Sequence, residues 1–267
     1  MKKLQTWIWF LTSKSETRLL KSMANENLSN LLLSKAMKTI GVLWWLWPET
    51  TAKFYLELIN IFSQNKIKNR PSILIWNTAL PLDLEKNFLL TGEWITEYLP
   101  YLIEGAKKIE KGWADFIVIP CNSVHVLIEQ IRRTVSIPVI SIIDETVNYL
   151  SGIWIQLIWL LSTTATSKYQ LYELPLLQKS INIVKIDSIL QANLDLVIYN
   201  IVNNISSQNN QQIIHEIVET MRGKQVKDIL LACTDLQLIC TNFYEFSLFD
   251  TMSILAKATA EYVITSI

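Results

Sequence analysis

Apolar positions along this chain fall into two alternating patterns. Short unbroken runs such as Ile40-Gly41-Val42-Leu43, Ile73-Leu74-Ile75, Phe116-Ile117-Val118-Ile119 and Val139-Ile140-Ser141-Ile142-Ile143 suit strands buried on both faces. Between them the apolar residues spread to helical spacing. Pro48-Glu49-Thr50 opens one helix, with proline near the first turn and an acid beside the dipole, and Phe54, Leu58, Ile59 and Phe62 line one of its faces. A second helix is expected from Ile95 to Lys111, ending at Gly112, and a third along Val124, Leu127, Ile128 and Ile131. The series then repeats. Strands are expected at 156–161, 183–186 and 228–231, with helices near 168–178, 194–202 and 213–221. Strands alternating with helices of this length mean parallel α/β units.

Two stretches stand outside the pattern. Residues 1–36 are rich in Ser, Lys and Asn, with at best one helix near Arg18–Met23. The rhythm starts abruptly at Met37-Lys38-Thr39, so 1–36 read as an N-terminal extension, non-native or loosely packed. Asn203 to Gln212 is a polar connector that reads as solvated loop.

Composition narrows the classes. Lys+Arg and Asp+Glu are 24 each, so the chain is neutral and lacks the electrostatic footprint of a nucleic-acid or anionic-membrane binder. No apolar run approaches the roughly 18–20 residues that span a bilayer. The opening Trp7-Ile8-Trp9-Phe10-Leu11 is shorter than the apolar region of a signal peptide, so a cytoplasmic protein is expected. Three cysteines without tight spacing argue against a disulfide scaffold and a zinc site. One total is odd: 10 Trp stand against 6 Gly. A chain of this length ordinarily carries about 19 Gly, close to the Trp and Gly of this one taken together.

The chemistry sits where the halves repeat each other. One half reads IVIPCNS and the other ILLACTD. Each is a strand running into a cysteine, then two small polar residues, then a helix. Cys121 precedes Asn122-Ser123, and Cys233 precedes Thr234-Asp235. Ligands of open α/β sheets bind beyond the carboxyl ends of the strands, and a nearby helix N-terminus can lower a thiol pKa. A lone free cysteine more often fills core, but a matched pair in identical contexts points to a shared task. Two thiols facing one substrate suit proton transfer: a thiolate removes an α-proton and a thiol delivers one to the opposite face. His125, four residues after Cys121, would lie one turn along the same helix. It fits a supporting donor better than a Cys–His nucleophile pair. His215 sits in a polar helix without a second His nearby, so no metal is expected.

With these motifs the sequence resembles the aspartate/glutamate racemase family, which inverts amino acids without pyridoxal phosphate. The matching segments are GVLWWLWPETTAKFY, GWADFIVIPCNSVH, IPVISIIDET, IWLLSTTATSK and ILLACTDLQLI, from Met37 to about Cys240. The resemblance implies two pseudo-symmetric Rossmann-like three-layer α/β domains with parallel four-stranded sheets and the site in the cleft between them. Their expected extents are 37–147 with about 246–267, and 148–245. It implies Cys121 and Cys233 as the catalytic pair and Asn122, Ser123 and Thr234 as the holders of the substrate carboxylate and amine. Thr163, Thr164 and Thr166 would lie in a turn closing over it, with Asp235 in the place of the usual acid after the second Cys-Thr. It further implies no cofactor and an amino acid as the partner. Enzymes of this type are often dimeric, which would add a second copy of the chain. Hydantoin racemases and maleate isomerases of the same superfamily are the alternatives within enzymes; a non-catalytic binding protein is the alternative outside them.

Two departures stand out. Family members specific for aspartate carry an Arg after the Pro of the segment here reading Leu80-Pro81-Leu82-Asp83, and a Lys near Asn203. Neither cation is present, and Lys86 and Lys168 are the nearest substitutes. Aspartate or glutamate is thus the expected substrate, without a residue assigned to its distal carboxylate. The second departure explains the odd total. The family's first loop has the form GGxGPExT, and this chain reads Trp44-Trp45-Leu46-Trp47-Pro48-Glu49-Thr50-Thr51. Trp113 and Trp159 also stand where family members carry glycine. Glycine occupies such loops for close backbone approach or positive φ. The expectation is that most of the ten Trp are glycines encoded by UGA and misread as Trp.

Overall fold

The fold is that of a computed structural model, which describes residues 37–44, 48–67, 69–81, 84, 93, 95–203, 205, 208–240 and 245–265. The expected helix at 18–23 and the Trp-rich positions 45–47 lie outside these residues.

In the first half, β1 (Ile40–Trp44), α1 (Pro48–Gln64), β2 (Ile73–Asn77), α2 (Leu99–Lys111), β3 (Phe116–Val118), α3 (Ile128–Arg132), β4 (Val139–Ile140) and α4 (Ile142–Gly152) follow one another. The strands form an all-parallel sheet in the order β2-β1-β3-β4. The second half runs β5 (Leu157–Ser162), α5 (Thr164–Lys168), α6 (Glu173–Gln178), β6 (Asn182–Lys185), α7 (Ser188–Val202), α8 (Gln208–Arg222), β7 (Asp228–Ala232) and β8 (Ser247–Asp250). Its parallel sheet has the order β6-β5-β7-β8, the same permutation again. The last helix, α9 (Thr251–Ile264), closes the chain.

Side chains alternate across each strand and sort the core into layers. Val42, Phe116 and Val118 face inward, as do Ile158, Leu160 and Leu230 of the second sheet. Between the sheets they meet Phe54, Leu58 and Phe62 of α1, Ile142, Val147 and Leu150 of α4, and Met252, Leu255 and Ala260 of α9. Leu43 and Ile117 face outward onto α2, and Trp159 and Leu161 onto α7 and α8. Gly41 permits the close approach of α2 to β1, because a Cβ there would stand 2.2 Å from Ile109 Cγ2 and 2.9 Å from the Phe116 carbonyl. Among the described residues no helix is long and apolar enough to cross a membrane.

Several local expectations need correction. Ile142 and Ile143 begin α4 instead of continuing β4, because the Ser141 hydroxyl accepts from Asp144 N–H and caps the helix. The helix expected at 168–178 is two short helices, the first capped by Thr163. The polar run from 208 onward is the first turn of α8, not loop. α4 runs through the expected division at 147, and β8 pairs with β7 of the second sheet. At the end of β8, Asp250 caps α9.

Candidate active site

Cys121 lies three residues beyond the end of β3, and Cys233 follows β7 directly. Each strand is the third of its sheet and neighbours the first, at the point where the strand order reverses and open sheets take their ligands. A 3-10 turn follows each cysteine, at Ser123–Leu127 and Leu236–Leu238. The backbone N–H groups of Ser123 and Val124 face the Cys121 sulfur and pull its pKa down, as those of Asp235 and Leu236 do for Cys233. Each thiol thus receives donors from two and three residues on, in the manner of a helix-capping hydroxyl.

Electrostatics separates the two sites from ordinary caps. Burial pushes the Cys121 thiol up to about 12, against the pull of its N–H donors and with a further push from Asp235. Burial also raises Cys233 well above the ordinary thiol value, with Asp235 and the Cys121 sulfur itself adding to the effect. The Cys121 sulfur therefore lies within electrostatic reach of Cys233. Both are neutral thiols at neutral pH in this state. The third cysteine, Cys240, is buried in the outer core of the second sheet.

Asp235 joins the halves. Its Oδ1 accepts from the Thr50 hydroxyl of α1 at 2.5 Å, and its Oδ2 accepts from the Cys233 thiol at 3.8 Å. Asn122 makes a second bridge: Tyr172 donates to its Oδ1 at 2.5 Å, and its Nδ2 donates to Thr251 Oγ1 at 3.0 Å. A third bridge is a triangle of hydroxyls, Ser123 with Thr163 at 3.0 Å, Ser123 with Thr166 at 3.2 Å, and Thr163 with Thr166 at 3.1 Å. Thr234 is buried beside Cys233. Hydrogen bonds thus join Ser123, Thr163 and Thr166 in one group and Asp235 to Cys233, while Asn122 and Thr234 directly follow the two cysteines in the chain.

Thr164 and His125 face elsewhere. The Thr164 hydroxyl and N–H both donate to Asp195, at 2.5 and 2.9 Å, so they fix the turn from behind. The buried His125 ring is not on the Cys121 sulfur. Its Nδ1 bonds the Cys121 carbonyl at 2.6 Å, while its Nε2 accepts from Ile142 N–H at 3.1 Å. Because Nε2 accepts, Nδ1 carries the proton. Burial lowers its pKa to about 4, so the ring is a neutral strut between the Cys121 turn and α4.

Thr50, Tyr172, Thr251 and Asp195 were not singled out from the sequence. Thr50 lay inside a matching segment and Thr251 follows a capping Asp; Tyr172 and Asp195 carry no local signal. Lys86 lies outside the described residues. Lys168 is exposed at the end of α5. Among the described residues, no group of three or more His, Cys, Asp or Glu could hold a metal ion.

Proteins similar in sequence and fold are known. The broad specificity amino-acid racemase RacX of Bacillus subtilis (strain 168) is 25% identical over 228 residues, 82% of this chain and 96% of its own. An aspartate racemase homologue from Pyrococcus horikoshii superposes with a TM-score of 0.69 at 23% identity, covering 85% of this chain and all of the other. A glutamate racemase from Francisella tularensis in complex with D-glutamate gives 0.63 at 16% identity, over 86% of this chain and 82% of its own. The profile of the Asp/Glu/Hydantoin racemases matches residues 43–259. The chain belongs to the Asp/Glu/Hydantoin racemase family and is an isomerase.

Proposed function

We propose that the protein racemises an amino acid without a cofactor, with Cys121 and Cys233 on opposite faces of the α-carbon. One, as thiolate, takes the α-proton; the carbanion then accepts a proton from the other thiol, which becomes the thiolate. The pair ends with its roles exchanged, and no electrons or atoms are gained or lost. The observation that carries this reading is the duplicated setting of the thiols, each with N–H donors from two and three residues on. Their raised pKa values suit the task, since a thiolate formed from a weaker acid is a stronger base. The substrate ammonium group supplies the positive charge that stabilises that thiolate on binding.

Aspartate or glutamate is the substrate this reading favours. Asn122, Ser123 and Thr234 would hold its α-carboxylate and amine, with Thr163 and Thr166 exchanging their mutual hydrogen bonds for bonds to the ligand. Thr164 would act by holding their turn. The test is α-proton exchange of L-aspartate and L-glutamate in deuterated water, with glycine restored at the Trp positions. Cys121→Ser and Cys233→Ser should each abolish racemisation. Full activity in either variant would overturn the two-thiol mechanism. Absence of exchange on any amino acid would favour the isomerase or non-catalytic alternatives.

We also infer that most of the ten Trp are glycines in the cell, through UGA codons. Two observations support this. Trp113 and Trp154 have φ of 63° and 62°, the left-handed region that glycine occupies without steric conflict, and both side chains project into solvent. Trp159 is fully buried with its indole Nε1 lacking a partner, an arrangement that costs about 1–3 kcal/mol. Peptide mass spectrometry of the protein from its natural source, together with the ten codons, is the test. UGG at Trp44, Trp45 and Trp47 would overturn the inference.

A further inference from the structure

A line of buried hydrogen bonds joins the Cys121 turn to β7, the strand that leads into Cys233. The Tyr172 hydroxyl donates to Asn122 Oδ1 at 2.5 Å, Asn122 Nδ2 donates to Thr251 Oγ1 at 3.0 Å, and Thr251 Oγ1 donates to the Leu231 carbonyl at 3.0 Å. Asn122 is the residue after Cys121, and Leu231 lies two residues before Cys233. Tyr172 comes from the turn between α5 and α6 in the second half. Thr251 opens α9 directly after β8. Tyr172 and Thr251 are fully buried and Asn122 nearly so.

We propose that Tyr172 and Thr251 are positioning residues: they lock the Asn122 amide in one orientation and hold the Cys121 turn at a fixed distance from the Cys233 strand. The donor inventory favours this orientation, because it is the one in which every donor of the line has an acceptor. A phenol that donates to Oδ1 forces Nδ2 toward Thr251, and the Thr251 hydroxyl can accept there because its own proton is committed to Leu231. One Nδ2 proton of Asn122 remains for a ligand. A flipped amide would draw the Thr251 proton to Asn122 Oδ1 and leave the buried Leu231 carbonyl without that donor, at a cost in stability. Two thiols working on opposite faces of one carbon tolerate little error in their separation, and misplacement by about 1 Å costs roughly a hundredfold in rate. Closing the three-bond line at both ends keeps that separation without placing a charge beside the thiols.

This inference rests on the two-thiol reading, and the test separates the two. Alkylation of Cys121, Cys233 and Cys240 by iodoacetamide is followed peptide by peptide, alongside racemisation of L-aspartate and L-glutamate. Tyr172→Phe and Thr251→Val should speed alkylation of Cys121 about tenfold while leaving Cys240, buried away from the line, unchanged. They should lower kcat roughly ten- to hundredfold with little change in KM. Thr251→Ser keeps the hydroxyl and should restore both readouts to near the parent values. If Thr251→Val does not fold, Tyr172→Phe, which removes one oxygen, carries the same readouts. Unchanged Cys121 alkylation, a parallel rise at Cys240, or failure of serine to rescue would overturn the positioning role. If racemisation instead survives Cys121→Ser or Cys233→Ser, the two-thiol reading falls while the alkylation pattern still decides whether the line holds the turn.

Discussion

Replacing Trp113 and Trp154 by glycine should stabilise the protein, and the size of the gain can be worked from their backbone and exposure. Trp113 follows Gly112 at the end of α2, with its N–H on the Glu110 carbonyl; Trp154 stands two residues after α4, with its N–H on the Ser151 carbonyl. Both turns need positive φ, 63° and 62°, where a Cβ meets the following carbonyl at roughly 1–2 kcal/mol. Glycine relieves this but loses about 0.5–1 kcal/mol through its freer unfolded chain. Desolvation contributes little in either direction, because the side chains are 86% and 87% exposed, no more covered than in a compact denatured chain. Taking the middle of each range, the net is about 0.5–1 kcal/mol per site and about 1–2 for the pair. At roughly 2–4 °C per kcal/mol for a chain of this size, the double variant should melt about 2–8 °C higher. Thermal unfolding followed by circular dichroism measures it. Trp113→Ala/Trp154→Ala is the control, since alanine removes the ring but keeps the Cβ. A double glycine variant that melts lower than its parent, or an alanine variant that gains as much, would refute the argument from backbone strain.

Three further outcomes are expected. The native His125 imidazole titrates near 4 against 6.5 when free, so it contributes stability above pH 6.5 that is lost as pH falls through 4, about 3 kcal/mol in all. Asp250, raised by burial to about 6, works in the opposite sense: its contribution is complete below the ordinary carboxylate value and is lost as pH rises through 6. In Asp250→Asn the opposing slope is gone, so denaturant midpoints should fall clearly between pH 6.5 and 4; a flat profile would contradict the neutral-strut reading of His125. Asp235→Asn removes a charge that raises both thiols, and the pH midpoints for alkylation of Cys121 and Cys233 should move toward neutrality. Midpoints that stay in place or rise would show that the carboxylate does not act on them. Gly41→Ala should destabilise by about 1–3 kcal/mol in urea melts, since the new Cβ meets the Phe116 carbonyl of β3 as well as a movable Ile109 methyl; a neutral outcome would mean that both α2 and the β1–β3 pair yield freely around the methyl.

Much of this protein is legible in its sequence because parallel strands buried on both faces leave apolar runs that need no partner to be recognised. The runs at β1, β2, β3, β5, β6 and β7 announce themselves this way, and the paired Cys-polar-polar segments mark the two strand ends where ligands bind. Short-range competition was less legible. Ile142-Ile143 look like strand until the Ser141 hydroxyl is seen to cap Asp144, and the Gln/Asn run at 208–212 looks like loop until it is seen as the opening turn of α8. β8, with the half-exposed pattern of an edge strand, offered no continuous run at all.

Partnership across the two halves belongs to tertiary structure alone. The sequence determined that there are two matched thiols, each at a strand end, and that tryptophan stands at positions suited to glycine. It could not determine that Asp235 would meet Thr50, 185 positions away, or that Tyr172 and Thr251 would close on Asn122 from different elements. Nor could it turn His125 away from the thiol and onto a carbonyl and an N–H. Hydrogen bonds of that kind depend on where two sheets and the crossing helix α9 come to rest. The direction of the thiol shifts had the same origin. Helix-like N–H donors near each cysteine suggested lowered values from sequence, but only the folded interior reveals that burial outweighs them.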